Sequence, residues 1–274
     1  MMTREIDSVL YLWSKRTLYI GDLLGLVTLN PASASLLVGL EGEFQFWTPS
    51  HGKVSTAIAL IPAGATLSID YGNGLVACSL LDPMSDDFEQ LKKTMTSRIG
   101  DICYDSANLA ALQACFHHIH AQQLAAGQAH AHYLHHVFPE DPIHTAPMKH
   151  YEAIKRVIAI IKTSPEANLS NEELAACVGL SATQLQRQFK AIIGVPIRRY
   201  RLWYRLFVTA AFMAHGLSLT EASLEAGFSD ASHFNHTFKS MLGIKPSHIL
   251  KRRHQMQIML GTVCHEKLLA RLPA

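Results

Sequence analysis

Residues 227–246 read GFSDASHFNHTFKSMLGIKP, and residues 179–196 read GLSATQLQRQFKAIIGVP. Both stretches open on Gly and close on a Gly followed within three residues by Pro. Gly179 aligns with Gly227 at an offset of 48, while Phe189 aligns with Phe238, Lys190 with Lys239 and Gly194 with Gly243 at 49. One inserted residue inside an otherwise parallel pattern marks a duplicated structural unit. In the first copy Ser170 and Glu173 form an S-x-x-E capping box, and Gly179 supplies the left-handed residue that ends the helix. Ser181 then caps a second helix with Leu185, Phe189 and Ile192 as its inward stripe. In the second copy residues 218–227 give a short helix ended by Gly227. Asp230 caps the next helix, whose inward residues are Phe234, Phe238 and Met241 or Leu242. Helix, tight turn and helix is the expected motif, twice over.

Between the copies, PIRRYRLWYRLFVTAAFMAHG (196–216) predicts a long helix opening on Pro. It buries Tyr200, Tyr204, Phe207, Val208 and Ala211, with Arg198, Arg201 and Arg205 together on another face. A rod of roughly 18 residues is about 27 Å long at 1.5 Å per residue. That is enough to hold two recognition helices about one DNA turn, ~34 Å, apart. Upstream, residues 148–164 place Tyr151, Ile154, Val157, Ile158 and Ile161 on one helical face.

The formal charge of +2 over 274 residues conceals an asymmetry. Residues 1–147 hold 7 Lys/Arg against 14 Asp/Glu, a balance of −7; residues 148–274 hold 17 against 8, a balance of +9. A basic half joined to an acidic half points to a polyanion-binding module beside a domain that binds none. The sign changes at PEDPIHTAP (139–147), whose three prolines and lack of periodicity read as a linker. Five cysteines, never spaced C-x-x-C, argue against a disulfide framework and fit a reducing cytoplasm. The start has no signal-peptide core, and no apolar run reaches the ~18 residues needed to span a bilayer.

GFSDASHFNHTFKSMLGIKPS resembles the signature region of the AraC/XylS family of bacterial transcription regulators: G-F, S-x-F, F-K and G-x-x-P-S recur in order. The resemblance covers residues 150–253 and runs through Gly179, Phe189, Gly194, Gly227, Phe228, Phe234, Phe238, Gly243 and Pro246. It implies two helix-turn-helix units joined by a long helix, binding double-stranded DNA and contacting RNA polymerase. On the first recognition helix Thr183, Gln186, Arg187 and Lys190 point away from Leu185 and Phe189. Gln suits adenine, Arg suits guanine and Lys suits phosphate. The family's base-reading positions fall on Thr183, Gln186 and Arg187, and in the second copy on Ala231, Ser232, His233 and His236. The second set departs from the pattern: His236 stands where many members carry Arg, and Ala231 has no hydrogen-bonding side chain. The first copy is therefore expected to supply more of the direct readout. Lys190, Arg198, Arg201, Lys239, Lys251 and Arg252 are the candidate phosphate contacts. The family's Pro-x-x-Tyr-Arg is replaced after Pro246, where Ile249 takes the aromatic position.

The segments of the front half predict an antiparallel β barrel or sandwich, and the family resemblance implies a small cupin-like barrel (about 17–82) followed by helices (about 86–137), giving an α+β chain. Short apolar segments at 35–40, 42–47, 53–61, 66–72 and 75–81 are punctuated by turn signals. The division is 1–137 for sensing and dimerisation, 138–147 as linker, 148–253 as DNA-binding domain and 254–274 as an extension without an assigned role. A barrel interior offers a pocket for a small effector of unknown identity, with Leu37, Phe44, Phe46 and Ile58 as candidate lining. Residues 106–126 predict an amphipathic helix, interrupted near Gly127 before a second piece ending near Val137. Its stripe of Leu109, Leu112, Phe116 and Ile119 either forms a homodimer seam or packs on the barrel.

Sixteen histidines include CFHHIH (115–120) and HAHYLHH (130–136). His117 with His120, and His132 with His136, have spacings that chelate on a helix. A cupin metal site draws on strands that open H-x-H, and here the strand region holds only His51, so no metal and no cofactor are assigned. The same absence weighs against a metal-dependent cupin enzyme, and no nucleophile elbow, P-loop or catalytic Cys/His pair appears. The remaining alternative is an architectural DNA-binding protein without a regulatory front domain. The favoured reading is a sequence-specific transcription regulator, an activator, gated through its front domain.

Overall fold

The computed structural model describes residues 8–23, 25–138, 150–246 and 256–261. It divides into two compact units, residues 1–143 with 238–264, and residues 144–237 with 265–274. The first unit begins with β1 (Ser8–Leu12), β2 (Arg16–Asp22), β3 (Leu26–Leu29), β4 (Ser35–Gly39), β5 (Phe44–Thr48) and β6 (His51–Thr56). It continues with β7 (Ile58–Ile61), β8 (Leu67–Asp70), β9 (Leu75–Leu81), α1 (Asp87–Lys92), β10 (Met95–Ile99) and β11 (Ile102–Ser106). Two helices follow, α2 (Leu109–Ala121) and α3 (Ala126–Val137). After these come α4 (Tyr151–Thr163), α5 (Asn171–Ala176), α6 (Ala182–Ile193), α7 (Ile197–Ala214), α8 (Leu219–Glu225) and α9 (Ala231–Leu242). The last element is β12 (Met256–Leu260).

The strands make two sheets rather than the closed barrel expected. One has eight strands in the order β10-β11-β7-β4-β9-β2-β1-β12; the other has four, β3-β8-β5-β6. The large sheet is covered on both faces, which is why SLLVG and IALI are unbroken apolar runs instead of alternating ones. Leu36, Val38, Ile58, Leu60 and Ala77 pack with Phe116, Ile119 and Tyr133 of the helices. Leu37, Ala59, Ile61 and Val76 face Phe44, Phe46, Leu67 and Ile69 of the small sheet. Leu37, Phe44 and Phe46 thus sit in the packed core between the sheets. Ile58 does not: strand alternation turns it to the helical side.

Four further differences have local causes. Residues 95–106, assigned to a helical stretch, form the β10–β11 hairpin, pairing Met95 with Ser106 and Ile99 with Ile102. The helix break lies at residues 122–125, where Gln123 takes φ +47°, and Gly127 sits inside α3. Residues 256–260, without an assigned role in the sequence, add a parallel edge strand in which Ser8 meets Met256 and Leu12 meets Leu260. Leu112, Phe116 and Ile119 are at most 2% exposed within the single chain, against the large sheet. They belong to this core and not to a homodimer seam; Leu109 packs at its edge.

Helices α2 and α3 are seated by specific bonds as well as by area. The Trp13 indole N–H donates to the Ala126 carbonyl at 2.9 Å, and the Tyr11 hydroxyl donates to the Leu124 carbonyl at 2.8 Å. Tyr133, fully buried, shares a 2.8 Å hydrogen bond with Ser79 of β9. Replacing Phe116 by Ala should destabilise this unit by about 3–5 kcal/mol through the cavity it leaves. Denaturant unfolding at several protein concentrations should give the same loss each time; a loss that varied with concentration would instead place Phe116 at a subunit seam.

Candidate nucleic-acid interface

Three capping boxes start the short helices of the second unit. Ser170 with Glu173, Ser181 with Gln184 and Ser218 with Glu221 each exchange side-chain and backbone hydrogen bonds. The bonds to Ser170 hold the Glu173 carboxyl below its ordinary range, and those to Ser218 do the same for Glu221. Asp230 opens α9, accepting the His233 backbone N–H at 2.8 Å, and that bond lowers its carboxyl likewise. Gly194 ends α6 at φ +86°, where a side chain would be strained.

These signals fix which face of α6 is outward. Leu185, Phe189 and Ile193 are buried, with Phe189 edge-on to Tyr200 of α7 at 5.6 Å between ring centroids. Ile193, not Ile192, completes the stripe. Thr183, Gln186, Arg187 and Lys190 are all exposed on the opposite face. They recur at i, i+3, i+4 and i+7, so they form one continuous strip. This strip carries a hydroxyl, an amide, a guanidinium and an ammonium side by side.

The second copy repeats the scaffold with a different surface. Phe234 and Met241 are buried, Phe238 is half-buried, and Phe228 meets Phe234 edge-on at 5.3 Å. Ala231, Ser232, His236 and Lys239 are exposed. His233 is half-buried instead: its Nδ1 lies 3.2 Å from the Ser229 hydroxyl and its ring stands edge-on to Phe228 at 5.3 Å. Its ring is committed to the turn before the helix.

The arginines of α7 do not share one outward face. Arg198 is exposed. Arg201 is half-buried and donates to the Leu169 carbonyl at 2.8 Å. Arg205 is 3% exposed and donates to the Pro165 carbonyl at 2.7 Å, the Glu166 carbonyl at 3.2 Å and Asn168 Oδ1 at 2.8 Å. Burial lowers the pKa of both below the ordinary arginine value, and in Arg205 the neighbouring Arg201 cation adds to the effect. The sequence missed this because the acceptors lie 32 or more residues away, in the segment between α4 and α5, and helical spacing carries no such information. Lys251 and Arg252 lie outside the described residues.

Comparison with known proteins bears on the same region. The helix-turn-helix domain family matches over residues 174–252. The chain is 30% identical over 107 residues to the transcriptional regulator RipA of Corynebacterium glutamicum, a match covering 39% of this chain and 32% of that protein. It is 30% identical over 104 residues to the transcriptional activator AarP of Providencia stuartii, covering 36% of this chain and 77% of that one. The match thus spans about a third of RipA and most of AarP. The fold of the longer chain is similar to that of ToxT from Vibrio cholerae, with a TM-score of 0.56 at 14% identity, over 86% of this chain and 96% of that one. A further ToxT structure, at TM-score 0.53 and 12% identity, over 87% of this chain and 95% of that one, holds an unsaturated fatty acid. Among the described residues no helix is long and apolar enough to cross a membrane.

Arg205→Met should cost on the order of 3 kcal/mol, because the buried Pro165 carbonyl and two less buried acceptors, the Glu166 carbonyl and Asn168 Oδ1, lose their donor. Thermal unfolding should show the loss, while the salt dependence of DNA binding by the folded variant stays that of the parent chain. A reduced salt slope would instead place Arg205 among the phosphate-contacting residues.

Proposed function

Because this chain belongs to the AraC family of helix-turn-helix transcriptional regulators, we propose that it binds specific double-stranded DNA sites and regulates transcription there, as an activator. The observation that carries the reading is the strip Thr183–Gln186–Arg187–Lys190, exposed on α6 above a buried Leu185, Phe189 and Ile193. Entering a major groove by that strip, α6 presents Gln186 and Arg187 to base edges and Lys190 to the backbone. In α9 the corresponding surface of Ala231, Ser232 and His236 has fewer strong donors, so it contributes position more than sequence. Lys239 and Arg198 supply phosphate contacts.

Control of transcription in this reading runs through contact with RNA polymerase in the cytoplasm, and the chain acts by binding rather than catalysis. The first unit takes the effector. The core between its two sheets is apolar, with Leu37, Phe44 and Phe46 buried in it, so the effector it would admit is an apolar small molecule. The fatty acid held by ToxT is a precedent of that chemical kind.

A genomic footprint of the protein in its host should reveal discrete sites sharing a sequence; uniform coverage would favour an architectural role. At such a site Arg187→Ala should weaken binding by roughly 1–3 kcal/mol and relax preference at one base pair. Equal loss on every DNA would refute its base-reading role. Arg198→Ala should weaken binding evenly and reduce the slope of log K against log salt by about 1.

A further inference from the structure

The helical hairpin of the first unit brings together side chains that no DNA-binding role uses. Ligand atoms of Cys115, His132 and His136 all lie within 4.8 Å of one another. The rings of His132 and His136 are 4.1 Å apart, and that of His118 stands 4.7 Å from His132. Along the chain these four follow C-x2-H, thirteen residues, then H-x3-H. That is the spacing of a tetrahedral zinc module with one Cys replaced by His.

We propose that Cys115, His132 and His136, with His118 in the fourth position, bind one thiophilic divalent transition-metal ion of the zinc class, clamping α2 to α3. Three features support the assignment beyond proximity. Each helix contributes two residues on one side, at i, i+3 in α2 and i, i+4 in α3, so each pair reaches a common point. The donor set, one thiolate and three imidazoles, suits zinc and its neighbours rather than calcium or magnesium. His136 Nδ1 already donates to the His132 carbonyl at 2.9 Å, the orienting bond that leaves Nε2 with its lone pair outward.

Zn–S near 2.3 Å and Zn–N near 2.0–2.1 Å put tetrahedral ligands roughly 3.5 Å apart, so a closing movement of about 1 Å brings Cys115, His132 and His136 to that spacing, and a turn of the exposed His118 side chain supplies the fourth ligand. Cys115 is buried and is a thiol without metal; the ion displaces its proton, which passes to buffer. His117 has another partner, with Nε2 at 3.1 Å from the Leu40 carbonyl. The site does not rest on the DNA-binding reading and stands or falls apart from it.

The test uses the full chain, stripped with a chelator and titrated with Zn2+ or Co2+. One ion per chain should bind, Zn2+ should raise Tm, and the Co2+ form should show four-coordinate d–d bands with a near-ultraviolet thiolate-to-cobalt charge-transfer band. Cys115→Ser should abolish the charge-transfer band. If that buried substitution prevents folding, His132→Gln and His136→Gln, at half-buried positions, carry the test: each should weaken Zn2+ affinity about tenfold or more. His117→Gln should bind as the parent does. Absence of saturable binding at one equivalent, or His132→Gln and His136→Gln variants with the parent's affinity, would overturn the site.

Discussion

A single buried guanidinium organises the second unit. Burying a cation without partners costs several kcal/mol, and Arg205 avoids this by donating to three oxygens of residues 165–168. Two of these are backbone carbonyls of the segment between α4 and α5, which has no ladder of its own to satisfy them. The planar fork of Arg reaches all three at once, as the single ammonium of Lys could not. The turn of the second motif closes against the same group. A Cβ on Gly227 would lie 2.6 Å from the Glu166 Cα and 3.0 Å from the Arg205 guanidinium carbon, at a φ of +95°. The glycine that opens the second signature is thus dictated by space as well as by conformation.

Once Arg205 and Arg201 are committed inward, the positive surface available to a polyanion is narrower than a balance of +9 suggests. Among the described residues it comprises Arg187 and Lys190 of α6 and the exposed Lys155, Arg156, Arg198, Lys239 and Lys245. The two copies keep the same interior logic, with Phe189 and Phe234 each closing a small aromatic cluster. Their outward faces have diverged: α6 retains an amide, a guanidinium and an ammonium, whereas α9 has given His233 to its own turn. The duplicated scaffold thus carries two chemically unequal outward faces.

What could be read from the sequence was local. Capping boxes, helix-ending glycines and most of the stripes of α4, α6 and α7 involve residues within a few positions of one another, and they appear close to where the spacing puts them, with Ile193 in place of Ile192 and with Tyr151 and Phe207 only half-buried. The exposed strip of α6 followed for the same reason, since exposure on a helix is fixed by which neighbours are buried. The failures are long-range. Whether Ile58 faces the small sheet or the helices depends on register, and the 53–61 run is broken at Ala57 into two strands of different sheets. The hairpin at 95–106 carries no run of alternating apolar residues, and β12 is a strand only because β1 offers it an edge. Arg201 and Arg205 differ from Arg198 only in what other segments place against them.

The histidines show the same limit at one helix. At about 100° per residue, the buried residues Leu112, Phe116 and Ile119 define one direction across α2. Cys115 and His118 fall on one flank of that direction; His117 and His120 fall on the other. Both pairs are i, i+3, so spacing alone treats them alike. What separates them is where α3 lies, because α3 presents His132 and His136 to the Cys115 flank, while His117 is left to the Leu40 carbonyl of the strand layer. The turn at residues 122–125 sets that choice: with Gln123 in the left-handed region, the chain folds α3 back along one side of α2. A chelating set therefore arises from the direction of a hairpin and not from the density of histidine along the chain.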